Sequence, residues 1–223
     1  MSCFKKHLNL SSFLLVLTVS LVMINGCSAP SHRVHPQFDT RFNTITKPVL
    51  ITADVKVFES LPGGMVLLRD DWGKLGRQNL QNAIVEGFRE KNCRVKLLDH
   101  NAELKTELEE IRSLYNVVNK SIRLQSYIHA SASKPPSDFD YSIGSLEHIL
   151  PKLGGDAAIF VSALEKVFNG KSLAVVNLAI ADPSGTIIWY AEEGSRGKSG
   201  FTHTTAAMAL VKRLIFSFPE VDG

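Results

Sequence analysis

The apolar residues Leu104, Leu108, Ile111, Tyr115, Val118 and Ile122 recur at spacings of four, three, four, three and four. That is one face of an α-helix. No Pro or Gly falls in residues 95–133. Nothing there stops a helix of about 25 residues, whole or as two nearly collinear pieces. So long a helix with one apolar stripe must lay that stripe on something. Two arrangements satisfy the pattern: the stripe covers a sheet of the same chain, or it meets another chain as a short coiled coil. In the second case Ile111, Tyr115 and Val118 form a partner-binding surface.

The rest of the chain reads as sheet and smaller helices. Residues 48–59, PVLITADVKVFE, are dominated by apolar and β-branched residues, as in a buried strand. Residues 60–64, SLPGG, are a turn. Residues 74–91 carry Leu80, Ala83, Ile84, Gly87 and Phe88 on one helical face, and residues 94–99 read as a second short strand. Residues 130–138 have loop chemistry. Residues 142–168 give a short helix, a Gly-Gly turn and a buried strand. Residues 172–194 are two strands joined by Asp182-Pro183-Ser184-Gly185, a type I turn sequence. Residues 204–219 form a helix stopped by Pro219. The order β-α-β-α-(α)-β-β-β-α predicts an α/β (α+β) domain: one mixed sheet with helices packed on it.

The N-terminus reads as an address. Lys5 and Lys6 precede an apolar run from Leu8 to Ile24, the charged and apolar regions of a secretory signal. The run is too short and too rich in Ser and Thr for a comfortable spanning helix. Ile24-Asn25-Gly26-Cys27 resembles the bacterial lipoprotein box, with Asn25 where Ala, Ser or Thr is usual. The resemblance implies a signal peptide over residues 1–26 and an acyl anchor on Cys27. Ser28, rather than Asp, then directs the protein to the periplasmic face of the outer membrane. Residues 27–47 are expected to be the acylated cysteine and a flexible linker, 48–219 a single domain, and 220–223 a tail. With Cys27 acylated and Cys3 removed, Cys93 has no disulfide partner.

The order of elements and two local strings resemble a known group. It comprises the N-terminal domain of the periplasmic protein TolB, the curli-secretion lipoprotein CsgG and lipoprotein activators of penicillin-binding proteins. The strings are Leu153-Gly154-Gly155-Asp156, entering the strand Ala157–Val161, and the hairpin Asp182-Pro183-Ser184-Gly185-Thr186-Ile187-Ile188-Trp189. The resemblance implies that fold and an envelope lipoprotein, and leaves activity open. Trp189 is expected to pack on a sheet face, the alternative being an anchor for a partner.

The sequence carries few groups arranged for chemistry. The 25 Lys and Arg against 22 Asp and Glu give +3, and loss of Lys5 and Lys6 with the signal lowers this to +1. No concentrated basic stretch argues for nucleic acid. Residues 194–200, GSRGKSG, miss the phosphate-loop pattern because Glu192 stands where Gly is required. No G-x-S-x-G, H-E-x-x-H or C-x-x-C occurs. His32 and His35 have a metal-like spacing but fall in the expected linker; Asp70-Asp71 reads as a solvated loop; His148 and His203 have no visible nucleophile. The expectation is therefore a non-enzymatic protein without cofactor or metal. It is held to the outer membrane through Cys27 and binds an envelope protein or its own copies, with Ile111, Tyr115, Val118 and Trp189 the candidate contacts wherever they are not taken up by the core. A CsgG-like pore subunit and an envelope enzyme without a sequence motif are the alternatives.

Overall fold

The computed structural model describes residues 31–98, 103–130 and 139–219. Its centre is an antiparallel meander of β6 (Ala157–Phe168), β7 (Lys171–Ala181) and β8 (Ile187–Gly197). The first turn is Asn169-Gly170, both at positive φ, which is the two-residue turn that matches strand twist. At the second turn, Asp182 Oδ1 accepts from Ser184 Oγ at 2.6 Å and from the Thr186 N–H at 3.1 Å. Gly185 is obligatory there, because its φ is +80° and a Cβ would sit 1.8 Å from the Gly144 carbonyl oxygen.

Five short strands extend the meander. β1 (Ser31–Val34) pairs antiparallel with β8. β2 (Pro48–Leu50) and β3 (Asp54–Ser60) both run parallel to β6 along one edge, with Leu50 opposite Ile159 and Asp54 opposite Ser162. The single strand expected over 48–59 is thus two, separated by one extra residue relative to β6, a bulge-like break. β4 (Val66–Leu68) pairs with β3, and β5 (Lys96–Leu97), shorter than expected over 94–99, pairs with β2.

The strands alternate between two cores. Ile159, Val161 and Ala163 of β6, with Ala174, Val176 and Leu178 of β7, face α1 (Phe38–Phe42), α2 (Asp70–Arg89) and α5 (Thr204–Leu214). Ala158, Phe160, Ala179, Ala181 and Tyr190 face α3 (Lys105–Ala130) and the segment holding α4 (Leu150–Leu153). The mixed sheet with helices on it is as the sequence predicts.

Two local strings explain themselves. Gly154 ends α4 at φ +69°, and a Cβ on Gly155 would lie 2.2 Å from Val49. Asp156 then accepts from the Thr46 N–H at 2.8 Å, the Thr46 hydroxyl at 2.7 Å and the Lys47 N–H at 2.8 Å. One carboxylate thereby holds the entries to β2 and β6 side by side.

The described part of the expected linker, 31–47, belongs to the domain. β1 lies on the sheet, and Phe38 and Phe42 stack at 5.1 Å and pack on Phe218, which also meets Phe88 and Trp189. Burying each aromatic contributes about 1.5–3 kcal/mol. A five-residue helix gains no such stability from its own hydrogen bonds. The sequence pattern missed this because two phenylalanines in twenty residues do not make a period. Asp70 and Asp71 occupy the first turn of α2, not a loop, where carboxylates suit the helix N-terminus.

The long helix is a single one of 26 residues. Leu104, Ile111, Tyr115 and Ile122 are buried in the second core, with Leu108 and Val118 packed against it. Replacing Ile111 and Val118 together by Asp should place two unpaired carboxylates at this contact, each costing several kcal/mol against a typical total of about 5–15 kcal/mol. Near-ultraviolet circular dichroism should then lose its fine structure, and the cooperative melt should disappear. A double mutant that melts like the parent would contradict the packing.

Candidate functional site

α3 is seated by polar contacts to one row of the sheet. Asp54, Ser162, Asn177 and Glu192 lie side by side across β3, β6, β7 and β8. Asn116 Nδ2 donates to Asp54 at 2.9 Å, and Arg123 Nε donates to Glu192 at 2.9 Å. Between them the Tyr190 hydroxyl donates to Asn119 Oδ1 at 2.9 Å and accepts from Asn177 Nδ2 at 3.0 Å. The contacts step from β3 to β8 as the helix number rises, so α3 lies across the strands. Burial pushes the phenols of Tyr115 and Tyr190 well above the usual tyrosine range, so both stay neutral.

On one side of that row lies the second core. On the other the strands run on past α3. The residues facing the α3 side there are Lys56 and Phe58 of β3, Val66 and Leu68 of β4, Leu164, Lys166 and Phe168 of β6, Lys171, Leu173 and Val175 of β7, and Arg196 of β8. Leu68, Phe58, Lys166, Leu173 and Arg196 form one row across five strands. Of the fifteen exposed large apolar side chains among the described residues, seven lie at this end: Val66, Leu68, Phe168 and Leu173 on the α3 side, Leu67 and Leu75 on the other, and Met65 at the hairpin turn. Lys166, Lys171 and Arg196 enter no ion pair among the described residues. Exposed apolar side chains set among charges make this end a candidate interaction surface. The sequence signal for it was present. Met65-Val66-Leu67-Leu68 is an apolar run beside a Gly-Gly turn, outside any helical or alternating pattern.

The opposite face of this end holds a cleft of about 370 Å³ lined by Trp72, Glu165, Ser172, Lys198, Thr202 and His203, among others. Glu165, 1% exposed, accepts from Ser172 Oγ at 2.6 Å and from the Thr202 N–H at 3.3 Å. A Cβ on Gly200 would lie 2.1 Å from that carboxylate. The carboxylate therefore ties the loop entering α5 to the sheet. Ser172 donates to it, so this pair is spent on holding the loop in place.

The outer face of α3 is also apolar. Leu114, Val117, Leu124 and Tyr127 are 52%, 66%, 61% and 79% exposed. Glu109 and Glu110 precede them, and Lys120 and Arg123 follow or interleave.

The residues singled out from sequence fall differently. Ile111, Tyr115 and Trp189 are buried in the protein's own cores, and Val118 packs half-buried beside them, so this set presents no surface to a partner. Cys27, the expected signal peptide over 1–26 and residues 131–138 of the expected loop over 130–138 lie outside the described residues. His35 is buried, with Nδ1 accepting from the Gln37 N–H at 3.0 Å, while His32, His148 and His203 are exposed. No group of three metal-ligating side chains occurs among the described residues. No helix among them is long and apolar enough to cross a membrane.

No family model and no curated protein matches the chain. Among solved structures, a PelC dodecamer from Paraburkholderia phytofirmans is similar, with 11% identity, a TM-score of 0.42, and coverage of 79% of this chain and 89% of that one. A likeness this distant carries no argument about function.

Cys93 is buried, and burial pushes its thiol up to about 11, helped by the Asp156 carboxylate. At pH 8 that leaves about a hundredfold less thiolate than the unfolded chain has. Labelling of Cys93 by iodoacetamide should therefore follow the urea unfolding curve. Rapid labelling of the folded protein would show an accessible, activated thiol instead.

Proposed function

We propose that this chain is a lipid-anchored, non-catalytic envelope protein at the periplasmic face of the outer membrane, and that it works by binding protein, with a second copy of itself as the partner on α3. The lipoprotein box at Cys27, followed by Ser28, supports the anchor and its location. The observation that carries the binding reading is that α3 is apolar on two opposite faces. One is consumed by the sheet, and the other, Leu114, Val117 and Leu124, is left in solvent.

Charge selects the occupant. The outer face runs from Glu109 and Glu110 to Lys120, all exposed. A parallel pair of α3 helices would set like charges together. An antiparallel pair related by a twofold axis near residue 115 sets Glu110 opposite Lys120 of the second copy, twice, around Val117 and Leu114. Because α3 lies across the strands, that twofold axis runs along them.

Sedimentation velocity tests this on the mature protein in detergent. Glu110→Lys and Lys120→Glu should each weaken the dimer, and the double substitution should restore it, since both residues are exposed and neither mutation disturbs the core. A monomeric parent, or a dimer indifferent to all three changes, would remove α3 as the self-association surface.

A further inference from the structure

We propose that the end of the sheet projecting past α3 docks on an anionic lipid surface, with Val66, Leu68, Phe168 and Leu173 entering the headgroup layer and Lys166, Lys171 and Arg196 meeting lipid phosphates. The proposal rests on the Cys27 anchor of the function proposed above and adds the orientation in which the anchored domain sits.

Chain direction is the first argument. β1 pairs antiparallel with β8, Ser31 opposite Glu192 and Val34 opposite Trp189. Read backwards from Ser31, the chain therefore heads the way β8 continues, from Glu192 to Gly197, which is toward the projecting end. Only Ser28, Ala29 and Pro30 separate Ser31 from Cys27. Such a stretch reaches at most about 14 Å. The remaining length of β8, from Glu192 to Gly197, spans about 16 Å in the same direction. Acyl chains on Cys27 thus enter lipid beside the projecting end, and a tether this short cannot swing the opposite end of the domain to the membrane.

Composition is the second. This end carries seven of the fifteen exposed large apolar side chains among the described residues, and four of them, Val66, Leu68, Phe168 and Leu173, lie on the α3 side of the strands. On the α3 side of the strands beyond the Asp54–Glu192 row, every charged residue is a base: Lys56, Lys166, Lys171 and Arg196. Apolar side chains set among bases are the pattern of surfaces that lie on anionic bilayers, where each base contributes about fivefold in partitioning. An acidic protein would match the same charges, but the anchor's exit point favours lipid.

The test uses the mature acylated protein in vesicles of phosphatidylethanolamine and phosphatidylglycerol with brominated acyl chains. Phe168→Trp reports on the projecting end. Phe216→Trp, 75% exposed and beside Gly87 and Lys91 at the far end of α2, reports on the opposite end. Against the parent's two native tryptophans, Phe168→Trp should add emission that is blue-shifted and quenched by bromine, and Phe216→Trp emission that is neither. Lys166→Glu with Arg196→Glu should reduce the quenching several-fold, as should vesicles of phosphatidylcholine alone. Protein absent from the vesicle fraction would remove the anchor reading and this proposal with it. Anchored protein whose Phe168→Trp emission is unquenched, or no more quenched than that of Phe216→Trp, would overturn the orientation alone and leave this end to an acidic protein. Quenching indifferent to charge would overturn the role given to the bases.

Discussion

One row of the sheet decides what this molecule can present. Asp54, Asn177 and Glu192, with Tyr190 beside them, hold α3 at Asn116, Asn119 and Arg123. The neutral bond from Tyr190 to Asn119 contributes about 0.5–1.5 kcal/mol, the bonds that Asp54 and Glu192 accept are charge-assisted, and leaving a buried partner unmatched costs about 1–3 kcal/mol. The contacts therefore act more as register than as glue. Apolar packing of Ile111, Tyr115 and Ile122 supplies the adhesion, and the polar row fixes the angle. With α3 set across the strands, half of that sheet face is covered and half is not.

That angle ties the two proposed surfaces together. A twofold axis relating antiparallel α3 helices runs along the strands, so it leaves both projecting ends of a dimer pointing the same way. Both copies of the proposed dimer would then meet one lipid surface, each close to its own proposed anchor. Had α3 lain along the strands, the same pairing would have turned the two ends in opposite directions. Dimerisation and docking would then have excluded each other.

The covered half of the molecule was legible in the sequence, and the exposed half much less so. The inner stripe of α3 declares itself because six apolar residues keep a helical period. The Asp182–Gly185 turn and the Leu153–Asp156 string declare themselves through Pro, Gly and Asp chemistry that few conformations accept. β1 and α1 did not, because Val34, Phe38 and Phe42 acquire a partner only when Trp189 and Phe218 are brought beside them from far along the chain. The same long-range pairing hid the row of bases. Lys56, Lys166, Lys171 and Arg196 are scattered in sequence and become one face only through strand register. Trp189 packs on the sheet, as its hairpin position suggested, because β8 is an interior strand whose two faces are both covered at that residue.

Folding that reaches back to Ser31 would, with an anchor on Cys27, hold the domain against the membrane by its projecting end. Neutron reflectometry of the acylated protein on a supported anionic bilayer measures this directly. Protein density should begin within the headgroup layer, with no water between lipid and domain. A hydrated gap of several tens of ångströms, as a free tether over residues 28–47 would permit, would contradict it.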